Sequence, residues 1–142
     1  MSHADPDRTL GFALKRLQQT LRWRMDARLA EYGLTSPQYA VLALLAEHPG
    51  ISNAELARRS FVTPPTMIRI SVALDDAGLI TRDDRSADQR SRPMRLTARG
   101  RAQLTAAAGQ VQELEDVLVR HAGADRGAIN AWLRACADEL GA

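Results

Sequence analysis

The sequence is poor in several residue types, and each scarcity excludes something. One cysteine, Cys136, stands among 142 residues, so no intrachain disulfide can form. The longest apolar run, Tyr39 to Ala46, is eight residues, against the roughly 20 needed to span a bilayer, so no membrane span is expected. Asp5 and Asp7 stand where a secretory signal would be basic, and no apolar segment follows them. Export is therefore not expected, and a cytoplasmic location is. The three histidines, His3, His48 and His121, lie far apart in no ligand spacing, so neither a metal site nor another cofactor is expected. No Ser, Cys or His has the local base and orienting partner of a catalytic nucleophile, which argues against an enzyme. Aromatic residues make up 4% of the chain. With few glycines and 24 alanines, that composition points to helices.

Basic residues are abundant but lopsided, with 18 Arg to one Lys, Lys15, and the formal net charge is +2. The bias reflects either genome composition or the use of guanidinium forks at phosphates and base edges. Placement is more informative than the total. Arg85 to Arg101 holds six Arg against Asp88 alone, a local balance of +5, whereas Ala102 to the end carries −3. A polyanion would bind the middle of the chain.

Helical periodicity runs from about Pro6 to Tyr32, with Leu10, Leu14, Leu17, Leu21, Met25 and Leu29 in one stripe. A second stripe, Phe12, Arg16, Gln19 and Trp23, lies nearly opposite. Apolar on two sides, this helix is expected to pack on its own domain and on a further partner, for which a second copy is one candidate. Leu34-Thr35-Ser36-Pro37-Gln38 opens the next helix as a T-x-x-Q capping box, although Pro37 also permits Ser36 as the cap. Pro49-Gly50 ends it near Glu47. At Ile51-Ser52-Asn53-Ala54-Glu55-Leu56, Ser52 caps and Glu55 is expected to reach back to it. About seven helical residues fit before Ser60, and Thr63-Pro64 then opens a helix that Gly78 closes. A short helix, a tight turn and a second helix make a helix-turn-helix.

Beyond Gly78 the period shortens to two. Ile80 and Arg82, and Met94 to Leu96, read as short strands around a polar loop, Asp83 to Arg92. The fold expected is mainly α with a small β-hairpin wing. Thr97 caps a long helix that Gly123 breaks, and a last helix carries Ile129, Trp132, Leu133, Cys136 and Leu140. The expected organisation is a long amphipathic helix over 1–33, a winged helix-turn-helix over 34–97 and amphipathic helices over 98–142.

On the helix from Pro64 to Asp76, Met67, Ile70, Leu74 and Ala77 turn to the core, while Pro65, Ile68, Arg69, Val72 and Asp76 turn outward. Arg69 suits a guanine fork or a phosphate. Thr63 and Thr66 can meet phosphate through hydroxyl or backbone N–H. Ile68 and Val72 suit thymine methyls or a neighbouring element. In the loop, Arg85, Arg90 and Arg92 are placed for a narrow minor groove.

Leu34-Thr35-x-x-Gln38, Glu55-Leu56-Ala57, Thr66-x-x-Arg69, Leu74-Asp75-x-x-Gly78-Leu79-Ile80, Asp88-x-Arg90 and Leu96-Thr97-x-x-Gly100 stand in one order. Their spacing resembles that of the MarR (multiple-antibiotic-resistance regulator) family of bacterial transcription factors over nearly the whole chain. The resemblance implies a homodimer in which the terminal segments, 1–33 and 98–142, are intertwined dimerisation helices, with two winged helices on successive major grooves of a pseudopalindrome. It also implies release from double-stranded DNA by a small phenolic or lipophilic effector. It places Arg69 at the recognition-helix arginine and Arg90 at the wing tip. Gln89, Ile68 and Ala73 depart from the family's usual arginine, threonine and basic residue, which suggests fewer DNA contacts per subunit.

The family's effector crevice makes Phe12, Arg16, Gln19, Trp23 and Tyr39 the candidate effector site, with a cation and an amide between aromatic walls. Dimer-core packing is the alternative for Phe12 and Trp23. Thiol control is not expected, since the first helix lacks cysteine and Cys136 reads as a buried, inert thiol. The function expected is a ligand-responsive, sequence-specific repressor. The alternative is a dimeric winged-helix module for a ligand or protein, with weak or lost DNA recognition.

Overall fold

The computed structural model describes residues 2–82 and 93–141. Side-chain oxygen caps divide its helices. Asp5 caps a single turn of 3-10 helix over Pro6–Arg8, and Thr9 then caps α1 (Leu10–Leu29) by accepting the Phe12 N–H at 3.3 Å. The single helix expected from Pro6 to Tyr32 is thus interrupted, because Thr9 takes an extended backbone so that its side chain can satisfy a first-turn donor. At the far end Ala30–Tyr32 tightens into a 3-10 turn before Gly33, which adopts φ +69°.

Helix α2 (Ser36–Glu47) opens on a complete capping box. Thr35 Oγ1 accepts from the Gln38 N–H at 3.3 Å, and Gln38 Oε1 accepts from the Thr35 N–H at 3.1 Å. Helix α3 (Asn53–Arg59) has half of one. Ser52 Oγ accepts from the Glu55 N–H at 3.1 Å, but the Glu55 carboxylate turns to Arg58 and Arg59 instead of reaching back. Charge-assisted bonds outcompete a neutral backbone donor there.

Helix α4 (Pro64–Asp76) follows, then the antiparallel strands β1 (Ile80–Arg82) and β2 (Met94–Leu96), paired with Ile80 opposite Leu96 and Arg82 opposite Met94. Helices α5 (Ala98–Ala122) and α6 (Arg126–Gly141) complete the chain. The result is the mainly helical winged helix-turn-helix expected from the periodicity.

One core serves all of it. Leu29 from α1, Val41 and Leu42 from α2, Leu56 from α3, Met67 and Leu74 from α4, Ile80, Met94, and Ala107 from α5 are buried together. Each large side chain among them contributes about 1.5–3 kcal/mol by leaving water. Ala77, expected on the buried face of α4, is exposed, and Ser71 is buried there instead.

Polar ties hold α1 to its neighbours. Asp26 accepts from the Ser36 N–H at 2.8 Å and from its hydroxyl at 2.6 Å, joining α1 to the start of α2. Arg28 donates to Gln110 at 3.1 Å and pairs with Glu113, joining α1 to α5, while Gln103 of α5 donates to the Tyr32 carbonyl in the turn that follows α1. The first half of α1 lies beyond these ties, with Leu10, Phe12, Leu14 and Leu17 exposed. So does the apolar face of α6, where Ile129, Trp132, Leu133 and Leu140 are exposed. Cys136 on that face is only partly buried, not enclosed as its apolar neighbours suggested. Among the described residues, no helix is long and apolar enough to cross a membrane.

Candidate nucleic-acid interface

Helix α4 presents a row of polar groups along one face. The Thr63 hydroxyl caps the helix, accepting the Thr66 N–H at 3.4 Å, and donates to Thr66 Oγ1 at 3.1 Å. Thr66 Oγ1 in turn accepts from Arg69 Nη2 at 3.2 Å. The relay orients the guanidinium while occupying one of its five N–H donors. Thr63, Pro65 and Arg69 are exposed and Thr66 is partly so. The four residues that sequence reasoning placed at the start of this helix therefore form one surface.

One expected route to phosphate is mostly closed. Pro64 and Pro65 occupy the first two helical positions and have no N–H, and the Thr66 N–H is taken by Thr63. At this helix end the hydroxyls, the N–H of Thr63 itself and the positive end of the helix dipole remain to meet an anion. Ile68 and Val72, 52% and 49% exposed, lie on the same outward side. They are apolar points beside a cation, as the helical wheel indicated.

Two further arrangements were not anticipated. The buried Ser71 hydroxyl donates to the Ile68 carbonyl at 2.8 Å and accepts from Arg82 Nη2 at 2.8 Å. Arg82 thereby fixes the wing's first strand against α4. The signal was available, since a serine on the stripe of Met67, Ile70 and Leu74 needs a polar partner. On α3, Arg58 pairs with Glu55, and Arg59 Nε lies 3.0 Å from the same carboxylate. Those bonds, from Arg59 first and then Arg58, hold the Glu55 carboxyl below its ordinary value. Arg59 Nη1 also lies 3.0 Å from His48 Nε2. The wing-tip candidates Arg85, Arg90 and Arg92 lie outside the described residues.

The candidate effector residues divide into two groups. Phe12, Arg16, Gln19 and Trp23 share α1, and all are exposed, Trp23 at 64%. Tyr39 packs against the core of the winged helix, and burial pushes its phenol above the ordinary 10.0, so it is a neutral hydroxyl at pH 7.

Comparison with known proteins agrees with this architecture. Residues 34–91 match the model of the MarR family. Over 96 residues the chain is 44% identical to the HTH-type transcriptional repressor Rv2887 of Mycobacterium tuberculosis, an alignment covering 68% of this chain and 69% of that protein. The chain belongs to the MarR family. Among solved structures, the transcriptional repressor CouR bound to a 23-mer DNA duplex superposes with a TM-score of 0.81 at 33% identity. That match covers 96% of this chain and 99% of CouR. Rv2887 in complex with salicylic acid superposes with a TM-score of 0.66 at 34% identity, covering 94% and 97%. The family match encloses α2, α3, α4 and β1. The 96-residue alignment with Rv2887 extends beyond that segment, and the superpositions carry the likeness over nearly the whole chain.

Proposed function

We propose that this MarR-family chain is a homodimeric, sequence-specific repressor of transcription, located in the cytoplasm and without catalytic activity, that releases DNA when a small aromatic effector binds. The row Thr63–Thr66–Arg69 carries the reading. Its hydroxyls and its oriented guanidinium occupy the exposed face of the second helix of a helix-turn-helix, where a major groove is read. CouR bound to a DNA duplex supports it at the level of the whole fold.

Ile68 and Val72 suit thymine methyl groups beside the base that Arg69 reads. Arg90 and Arg92 are assigned to the minor groove from the resemblance and the charge pattern alone. The uncovered apolar sides of α1 and α6 are assigned to a second copy, with 1–33 and 98–142 as the dimerisation elements around 34–97. Phe12, Arg16, Gln19, Trp23 and Tyr39 form the proposed effector site, for which Rv2887 with salicylic acid is the supporting relative.

A fluorescence anisotropy titration tests the reading, comparing the duplex upstream of the chain's own gene with a random duplex of equal length. A preference for the first, with affinity falling log-linearly with salt, is expected. Equal weak binding to both would instead favour a ligand- or protein-binding module.

A further inference from the structure

Three helices of this chain end in the same hydrogen-bonded turn. After α1 the Leu34 N–H donates to the Leu29 carbonyl and the Gly33 N–H to Ala30, at 3.1 and 3.0 Å. After α4 the Leu79 N–H donates to Leu74 and the Gly78 N–H to Asp75, both at 2.9 Å. After α3 the Val62 N–H donates to Ala57 and the Phe61 N–H to Arg58, at 3.1 and 3.2 Å. All three are Schellman turns, whose penultimate residue must adopt the left-handed conformation. Two use glycine, Gly33 and Gly78. The third, the turn of the helix-turn-helix, uses Phe61 at φ +57°, the sole positive-φ residue other than glycine among those described.

Among the described residues, Phe61 gains nothing that offsets this conformation. Its side chain is 94% exposed, the most exposed large apolar group described. Glycine would fit the turn better and would remove apolar surface from water. Its surroundings indicate an occupant. Arg58 and Arg59 precede it, Thr63 with its N–H and capping hydroxyl follows, and the positive end of the α4 dipole is adjacent. An apolar ring among groups suited to phosphates matches the sugar–phosphate edge of a duplex, where deoxyribose C–H surface separates successive phosphates.

We infer that Phe61 is a DNA-positioning residue that packs on deoxyribose at the lip of the major groove, beside the phosphate met by Thr63. The inference rests on the DNA-binding reading above and adds a contact to it. It also explains why the chain retains a strained residue in a turn that it twice builds with glycine.

The test is Phe61→Gly, with Arg69→Ala as reference, read by anisotropy on the upstream duplex and on a random duplex, and by thermal unfolding. Phe61→Gly should unfold at or above the parent's temperature. It should bind both duplexes about five-fold more weakly, with the salt slope unchanged because no ion is lost. Phe61→Asn, which also tolerates the left-handed conformation, should behave alike. Parental affinity in Phe61→Gly, alongside a loss in Arg69→Ala, would overturn the contact while leaving the DNA reading standing. A loss confined to the upstream duplex would overturn the sugar assignment in favour of a base contact. Parent protein that binds neither duplex would overturn both readings.

Discussion

The Cβ that Gly100 lacks would stand 2.0 Å from the carbonyl oxygen of Leu79. The first turn of α5 is pressed onto the backbone that leads into the wing. Thr97 completes the junction, since its N–H donates to that same Leu79 carbonyl at 3.1 Å. Its hydroxyl donates to the Gly78 carbonyl at 2.6 Å and accepts the Gly100 N–H at 3.0 Å. Both ends of the hairpin are therefore locked to the start of α5.

Gly100→Ala should accordingly be among the most destabilising single-methyl additions in this protein. No flexible side-chain end is available to move, because the obstructing atoms are backbone. A loss of about 3 kcal/mol or more is expected, equivalent to roughly 10 °C in unfolding midpoint for a chain of this size. Thermal unfolding at matched protein concentration measures it, and a midpoint within 2 °C or so of the parent would show that the junction relaxes.

Thr66→Val is the cleaner probe of recognition. It preserves shape and removes the hydroxyl that accepts from both Thr63 and Arg69. The guanidinium then loses its orienting partner while the core beneath α4 is untouched. Affinity for the upstream duplex should fall about five-fold, close to the 1 kcal/mol typical of one such hydrogen bond, with the unfolding midpoint nearly unchanged. An undiminished affinity would show that Arg69 is oriented by the DNA and not by the helix.

These two junctions show what was legible in the residues and what was not. Leu96-Thr97-x-x-Gly100 was visible as a pattern, but its cause is a contact between backbones distant in sequence, which no local periodicity encodes. The outward face of α4 was legible because burial follows the helical period, and Pro65, Ile68, Arg69, Val72 and Asp76 are exposed where that period put them. The loss of the backbone route to phosphate was equally present in Pro64-Pro65, since neither residue has an N–H to give. Ser71 was missed because an apolar stripe was read without asking what its polar member would bond. Glu55 was misassigned because two arginines one turn ahead compete for the carboxylate that a capping box would use. The outer surfaces of α1 and α6 were apolar in the sequence and remain exposed in the single chain, so their partner could be named only as a second copy.

Acid should weaken the α3 cluster in a defined direction. Bonds from Arg59 and then Arg58 lower the Glu55 carboxyl below its ordinary value of 4.5. The folded state therefore binds that proton less readily than the unfolded chain. The resulting stabilisation is fully present above the unfolded value and is lost as pH falls through the folded one. The group is solvent-exposed, so the effect is small. Unfolding midpoints of the parent and Glu55→Gln, measured from pH 7 to pH 3, should differ slightly at neutrality and converge as the pH falls below the carboxyl's ordinary value. A difference that stays constant or widens on acidification would show that the pair contributes nothing.

Effector control and DNA binding should separate at Arg16. Its guanidinium makes no ion pair among the described residues and lies on α1, outside the α3–α4 helix-turn-helix itself. Between Phe12 and Trp23 it suits the carboxylate of an aromatic acid, an exchange of hydration for a charge-assisted bond beside apolar walls. Salicylate is the appropriate probe, because it is the ligand in the Rv2887 complex. Arg16→Ala should bind the upstream duplex within about two-fold of the parent, since the substitution removes no DNA contact. Millimolar salicylate should release the parent from that duplex and leave the variant bound. Loss of DNA affinity together with release would make Arg16 part of the dimer scaffold. Undiminished release in the variant would move the effector site away from α1.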